Sequence, residues 1–186
     1  HGVWARLPLP NPLYQYKEQI YSAYGIVGQQ VNKFKYQAGV RLEKAYQIPN
    51  LISDSLRIVN DYFNFFPSAH IKYAISKNEE LGLSYSRRIT RASSGDLNPF
   101  TSYSDPFNLR RGNPYLQPEY INSFDLGYAL EGKVLNFSAS LFYRQTIGTI
   151  SRIKVFEENN ASSVTFANIG QSYSYGREII ASYKPN

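Results

Sequence analysis

The chain of 186 residues contains neither cysteine nor methionine. Without cysteine, disulfide bonds, thiolate metal sites and a thiol nucleophile are excluded. Long hydrophobic runs are also missing, since no stretch approaches the roughly 18 consecutive apolar residues of a membrane-spanning helix. The sequence therefore predicts that the protein is not a helical membrane protein.

Charged residues make up only 18% of the chain, whereas aromatic residues reach 16%, with 17 Tyr and 11 Phe. The overall hydrophobic content of 42% is close to that of ordinary folded proteins. The net charge of +6 is compatible with nucleic acid, anionic lipid or acidic ligands as partners. Composition alone does not select among them.

Apolar and polar residues alternate with a period of two along most of the chain. The clearest run begins at Phe34 and continues to Glu43, with apolar side chains on one face and polar ones on the other. This pattern is typical of a strand with two different faces. It predicts seven strands, at about 17–29, 34–46, 62–75, 80–91, 119–131, 134–150 and 165–184.

The connections between these strands alternate between short polar turns and long segments. The long segments are predicted as loops at about 47–61, 92–118 and 151–164. Strands of ten or more residues exceed the usual length in soluble sheets, and outer-membrane barrels combine such strands with short turns on one side and longer loops on the other. The fold class predicted is all-β, with antiparallel up-and-down strands of a transmembrane β-barrel.

Seven strands would leave an unpaired edge, because single-chain bacterial barrels have an even count. We therefore expect residues 14–186 to be a partial barrel. At roughly 25 residues per strand the chain would supply about a third of a barrel of about 22 strands. Residues 1–13 are expected to be an N-terminal loop or a segment that originates from expression.

The two faces suggest different surroundings. Aromatic residues at strand ends suit the interfacial girdles of a barrel, and these are Phe34, Tyr36, Tyr73, Tyr85, Tyr128, Tyr143 and Tyr183. The opposite face is expected to line the lumen, through Lys35, Arg41, Glu43, His70, Lys72, Arg88, Asp125, Arg144 and Glu178. Arg87 and Arg177 fall on the apolar side by simple alternation, where an arginine at the bilayer midplane costs about 2–4 kcal/mol.

Residues 87–120 contain a spaced series of motifs: RRITR, LNPF, DPFN, and GNPYLQPEY. Here the sequence resembles the TonB-dependent outer-membrane receptors, especially the outer-membrane β-barrel family common in Bacteroidetes. The resemblance covers nearly all of residues 14–186. It departs from the family pattern at Ala92, where proline is more usual after the arginine, and at Arg177, where an apolar residue is more usual.

The resemblance implies a section of a receptor in the cell outer membrane that imports a scarce ligand such as a siderophore, glycan or peptide. A plug domain and TonB would be partners in the full-length protein, with outer-membrane lipid and lipopolysaccharide around the wall. No enzyme activity, cofactor, metal or nucleic-acid partner is expected.

The 92–118 segment is rich in proline and asparagine, which predicts a loop of defined shape without helices or strands. Long structured loops are commonly functional. The candidates for ligand contact are Phe100, Tyr103, Phe107, Arg110, Arg111 and Tyr115. In the alternative interpretation the arginines are solvated or contact lipopolysaccharide phosphates, and the aromatic rings only wedge the loop against the wall.

A second function class remains open at this stage: a soluble basic sheet whose aromatic residues stack on glycan or single-stranded nucleic acid. Strands 34–46 and 134–150 each keep five alternating apolar positions free of charge, which a water-exposed binding face would not need. This difference favours the receptor.

Overall fold

The computed structural model describes residues 14–52, 56–101, 108–156 and 162–184. The predicted segment 1–13 and the candidates Tyr103 and Phe107 lie outside these ranges. No helix in the described ranges is long and apolar enough to span a membrane. The elements are β1 (Tyr14–Val31), β2 (Phe34–Leu51), β3 (Leu56–Arg57), β4 (Asn60–Ala74), β5 (Glu79–Thr90), α1 (Ser94–Leu97), β6 (Asn108–Arg110), β7 (Glu119–Glu131), β8 (Leu135–Ile147), β9 (Ile150–Phe156), β10 (Ser162–Asn168) and β11 (Gln171–Tyr183).

Seven long strands form one antiparallel sheet in the order β1-β2-β4-β5-β7-β8-β11, and the short β3 pairs with the end of β2. Successive long strands of the chain are neighbours in this sheet, so the predicted seven-stranded up-and-down arrangement is confirmed. The β1–β2 turn closes on the Val31–Phe34 pair. Asn32 has a φ of 53° in this turn, a conformation that asparagine tolerates better than most residues.

The strand register separates two faces. One cross-strand row consists of Tyr36, Ile71, Leu83, Leu126 and Leu141, and it defines the apolar face. The next row, on the opposite polar face, consists of Lys35, Lys72, Gly82, Gly127 and Ser140. This separation follows directly from the period-two pattern.

Aromatic residues pair across strands on the apolar face. The ring centroids of Phe34 and Tyr73 lie 4.7 Å apart, and those of Tyr85 and Phe124 lie 4.8 Å apart. Phe124 also approaches Tyr143, at 6.3 Å. The sheet therefore presents large apolar and aromatic side chains outward instead of packing them into a core.

The buried core lies at one end of the sheet. Its centre is formed by Ala92, Leu97 and Leu116, all from the 92–118 segment, with Phe166 partly buried against them. Tyr62 of β4 is also buried and donates a hydrogen bond from its hydroxyl to the carbonyl of Leu116 (3.2 Å). The segment thus packs on the polar face at the long-loop end.

The long segments contain more regular structure than the sequence predicts. The segment predicted as a loop at 47–61 is shorter, because β2 continues to Leu51 and β4 begins at Asn60. The expectation that 92–118 lacks helices and strands is wrong, since α1 and β6 lie within it. Within the segment predicted as a loop at 151–164, the described residues belong to β9 and to the start of β10.

The last predicted strand, 165–184, is two strands in the structure. β10 ends at Asn168, and Gly170 adopts a φ of +54° before β11 begins at Gln171. The alternation of apolar and polar residues continues through this turn, so the sequence pattern does not indicate it. β10 then pairs with β9 in antiparallel orientation and with β6 in parallel, forming a second sheet of three strands.

Candidate functional site

The 92–118 segment begins with a capped helical turn. Ser93 accepts a hydrogen bond at its hydroxyl from the Asp96 backbone N–H (3.2 Å), and the Asp96 carboxylate accepts from the Ser93 N–H (3.1 Å) and hydroxyl (2.7 Å). This reciprocal capping box satisfies donors at the start of α1. The Asn98 side chain then accepts from the Phe100 N–H (3.1 Å), which fixes the exit from the turn.

Gly112 brings the second half of the segment against the first. Its N–H donates to the Asn98 carbonyl (2.7 Å), and the Asn113 N–H donates to the Asp96 carbonyl (2.7 Å). A Cβ atom at Gly112 would lie 2.4 Å from the Asp96 carbonyl oxygen, so a side chain has no room there. The close approach places Arg110 and Arg111 beside the first half of the segment.

Asn113 and Pro114 of the GNPY motif connect the segment to its surroundings. The Asn113 side chain accepts from the Tyr115 N–H (3.0 Å) and donates to the Phe166 carbonyl (3.0 Å). The Pro114 carbonyl accepts from the side-chain amide of Asn60 (2.9 Å). The motif therefore supports the conformation of the loop and its contacts with β4 and β10.

The hairpin formed by β9 and β10 packs alongside. The Arg111 N–H donates to the Val164 carbonyl (3.0 Å). The Asn168 side chain accepts from the Gln117 N–H (2.9 Å) and donates to the Gln117 carbonyl (2.8 Å). These backbone-directed contacts join two loops that are about fifty residues apart in the chain.

A cleft of about 410 Å³ opens where the two loops meet. It is lined by three arginines, Arg110, Arg111 and Arg152, and by two aromatic residues, Phe100 and Phe166. We call it the arginine cleft. The Arg152 guanidinium lies 5.6 Å from the centroid of the Phe166 ring, within cation–π range. In the described part of the chain none of the three arginines forms an ion pair.

The structure brings together only part of the predicted ligand-contact set. Phe100, Arg110 and Arg111 line the arginine cleft. Tyr115 does not line it, and its side chain is 63% exposed. Arg152 and Phe166 were missed by sequence reasoning. The alternation of polar and apolar residues at 151–156 is the signal that could have placed Arg152 on a strand.

The predicted lumen-lining residues share the polar face by register, but they do not converge on one point. Lys72 forms an ion pair with Glu80 (2.6 Å). His70 pairs in register with Ser84, which in turn pairs with Asp125. Among the described residues, no cluster of histidines and carboxylates could hold a metal ion.

A buried polar cluster lies at the base of the 92–118 segment, and of its members only Glu43 is among the predicted lumen-lining residues. Glu43 is 4% exposed and forms an ion pair with Arg91, whose pKa is lowered by burial. The buried side-chain amide of Gln47 donates to the Tyr16 hydroxyl (2.7 Å) and to the Ala92 carbonyl (3.3 Å). These contacts hold the start of the segment against β1 and β2.

The two arginines predicted on the apolar side have different surroundings. Arg87 is half-buried, with its guanidinium 4.9 Å from the centroid of the Tyr120 ring. The Tyr120 hydroxyl donates to the side chain of Asn64 (2.6 Å), on the polar face of β4. Arg177 is exposed and pairs in register with Leu141, so it lies in the apolar row at the edge of the sheet.

The sequence matches the model of the outer membrane protein beta-barrel family over residues 1–186. No curated protein matches it. The fold is similar to the hemophore receptor HasR of Serratia marcescens (TM-score 0.77, 12% identity, 90% of this chain and 32% of that one). It is also similar to the copper transporter OprC (0.72, 14%, 92% and 27%) and to the FrpB iron transporter of Neisseria meningitidis (0.65, 12%, 92% and 24%).

At 12–14% identity these structures show a shared fold, and this chain spans 24–32% of their lengths. The family match covers the whole sequence and confirms the location predicted from it, the outer membrane. The seven-stranded antiparallel sheet corresponds to part of such a barrel wall. The chain belongs to the outer membrane protein beta-barrel family.

Proposed function

We propose that this chain is a wall section of an outer-membrane receptor that imports a scarce ligand, with a plug domain and TonB as partners in the full-length protein. The observation that carries the proposal is the joining of two long loops into a structured cleft at one end of a two-faced sheet. Similar structures described as a copper transporter, an iron transporter and a hemophore receptor support it. The role is transport, without enzymatic chemistry.

The apolar face supports contact with membrane lipid. Leu83 is 51% exposed and Leu141 is 55% exposed. Large apolar side chains exposed in a continuous band are costly in water, whereas the outer face of a transmembrane barrel requires them. The long loops would then face the cell exterior, close to lipopolysaccharide. The soluble glycan- or nucleic-acid-binding alternative is set aside, because the family lies in the outer membrane.

The polar face would line the lumen and surround the plug. Its charged residues contribute mainly to register between strands, as the Lys72–Glu80 ion pair does. Ligand contact is assigned to the loops, where Phe100, Arg110 and Arg111 line the arginine cleft. Tyr103, Phe107 and Tyr115, which belong to the same segment of the sequence, stay candidates.

Deletion of the gene for the full-length protein tests this function. We expect the deletion strain to lose uptake of one ligand from a panel of ferric siderophores, heme, copper complexes, oligosaccharides and peptides, and a tonB deletion to reproduce that loss. Complementation with the intact gene should restore uptake. If both strains take up every ligand of the panel at the wild-type rate, the proposal is wrong.

A further inference from the structure

We propose that the arginine cleft binds a compact ligand through two or more oxyanion groups, either carboxylates or phosphates. The proposal rests on the proposed function in one respect, since the ligand would reach the cleft from the side of the long loops. It adds the chemical class of the ligand and assigns Arg152 to the site.

The first argument for anion binding is the charge of the residues that line the cleft. Arg110, Arg111 and Arg152 all line one cleft, and among the described residues that line it none carries a carboxylate. The acidic residue of the adjoining turn, Asp96, has its carboxylate engaged by Ser93 at 2.7 and 3.1 Å. A cleft lined by side chains of one charge sign attracts ligands of the opposite sign. Guanidinium groups match carboxylate and phosphate in geometry as well as charge.

The backbone positions of the arginines are fixed before any ligand arrives. Arg110 pairs in register with Val164 in the parallel β6–β10 ladder, and the Arg111 N–H donates to the Val164 carbonyl (3.0 Å). Arg152 pairs in register with Phe166 in the β9–β10 ladder. Because all three are tied to β10, little backbone ordering would oppose binding.

The aromatic walls and the volume limit the size of the ligand. Phe166 is held against the buried core, so its ring offers a firm surface beneath Arg152. Phe100 lines the same cleft. A cleft of about 410 Å³ is in the range of small-molecule sites and is too small for a folded partner or a long polymer. The oxyanions could belong to a soluble organic acid or phosphate, or to the phosphates of lipopolysaccharide.

Binding to the full-length protein in detergent tests the proposal. The probes are citrate, pyrophosphate, lipopolysaccharide and dephosphorylated lipopolysaccharide, measured by calorimetry at fixed salt. Arg152→Gln is the test variant, and Arg57→Gln, which removes an exposed arginine in the separate β3 strand, is the matched control. Heat modifiability on electrophoresis verifies that each variant is folded. We expect Arg152→Gln to weaken binding by roughly tenfold or more, because it removes a charge-assisted contact.

The outcomes separate the sources of the anion. Arg152-dependent binding of citrate or pyrophosphate supports a soluble ligand, and Arg152-dependent binding of only phosphorylated lipopolysaccharide supports a lipid source. If no probe binds, or if Arg57→Gln weakens binding as much as Arg152→Gln, the cleft is not an oxyanion site. The binding measurement does not depend on import. A negative binding result therefore leaves the transport proposal unaffected, and a negative uptake result does not contradict anion binding at the cleft.

Discussion

At Gly112 the backbone of one half of the 92–118 segment passes directly beside the backbone of the other half. Two hydrogen bonds of 2.7 Å cross this contact, and both depend on the approach that a residue without a side chain permits. The glycine does not touch a ligand in this arrangement. It fixes the backbone positions of Arg110 and Arg111. A substitution at Gly112 should therefore change the structure of the loop, and affect binding only through that change.

Gly112→Ala should destabilise the loop locally by about 1–3 kcal/mol, because the new Cβ atom would collide with fixed backbone atoms. Hydrogen exchange of the peptide around Gly112 and Asn113 measures the opening, and exchange should accelerate by roughly five- to 150-fold. Gly95→Ala is the control in the same loop, since its Cβ would meet only the Ser93 hydroxyl, at 3.7 Å. Equal acceleration in both variants would show that the contact at Gly112 is unimportant.

The strands show what the sequence could and could not predict at the level of elements. The bounds predicted for β7 are those it has, because Pro118 directly precedes the run and Gly132 directly follows it. The sequence predicts a single strand where the structure has β10 and β11, because Gly170 turns the chain without interrupting the alternation. The packing of 92–118 on the wall could not be foreseen either, since its contacts join residues such as Asn60 and Pro114 that lie 54 positions apart.

The ion pair between Glu43 and Arg91 connects β2 with the residue that directly precedes the 92–118 segment. Removing one partner should cost about 3–5 kcal/mol, because the other charge stays buried without compensation. We therefore expect Glu43→Leu and Arg91→Met each to lower the free energy of unfolding strongly. The double variant should recover most of the loss, since it leaves no unpaired charge.

Urea titration of the full-length protein in lipid vesicles measures this double-mutant cycle. Arg41→Gln is a suitable comparison, because Arg41 also faces Glu43, at 3.5 Å, but its side chain is 47% exposed. That variant should change stability by only about 0–1 kcal/mol. Additive effects of Glu43→Leu and Arg91→Met would contradict the view that the pair acts as one buried unit.

Across the whole molecule, alternation was sufficient to predict two faces, and the register confirms that the predicted polar residues share one of them. It was not sufficient to predict the arginine cleft, which depends on β10 joining β6 and β9 into a second sheet. Parallel pairing between loops leaves no local pattern in a sequence. The sequence therefore does not predict Arg152 as a site residue, because its place in the cleft depends on the pairing of the two loops.

The assignment of the apolar face to lipid makes a prediction for adjacent residues of one strand. Leu83 and Ser84 lie side by side on β5 and point to opposite faces, in register with Leu126 and Asp125 respectively. Leu83→Arg should lower the free energy of unfolding in vesicles by about 2–4 kcal/mol if that row lies near the bilayer midplane. Ser84→Arg places the same charge at the same depth beside Asp125 and should cost far less. If the two variants are destabilised equally, or if Ser84→Arg is the more damaging, the faces have been assigned to the wrong surroundings.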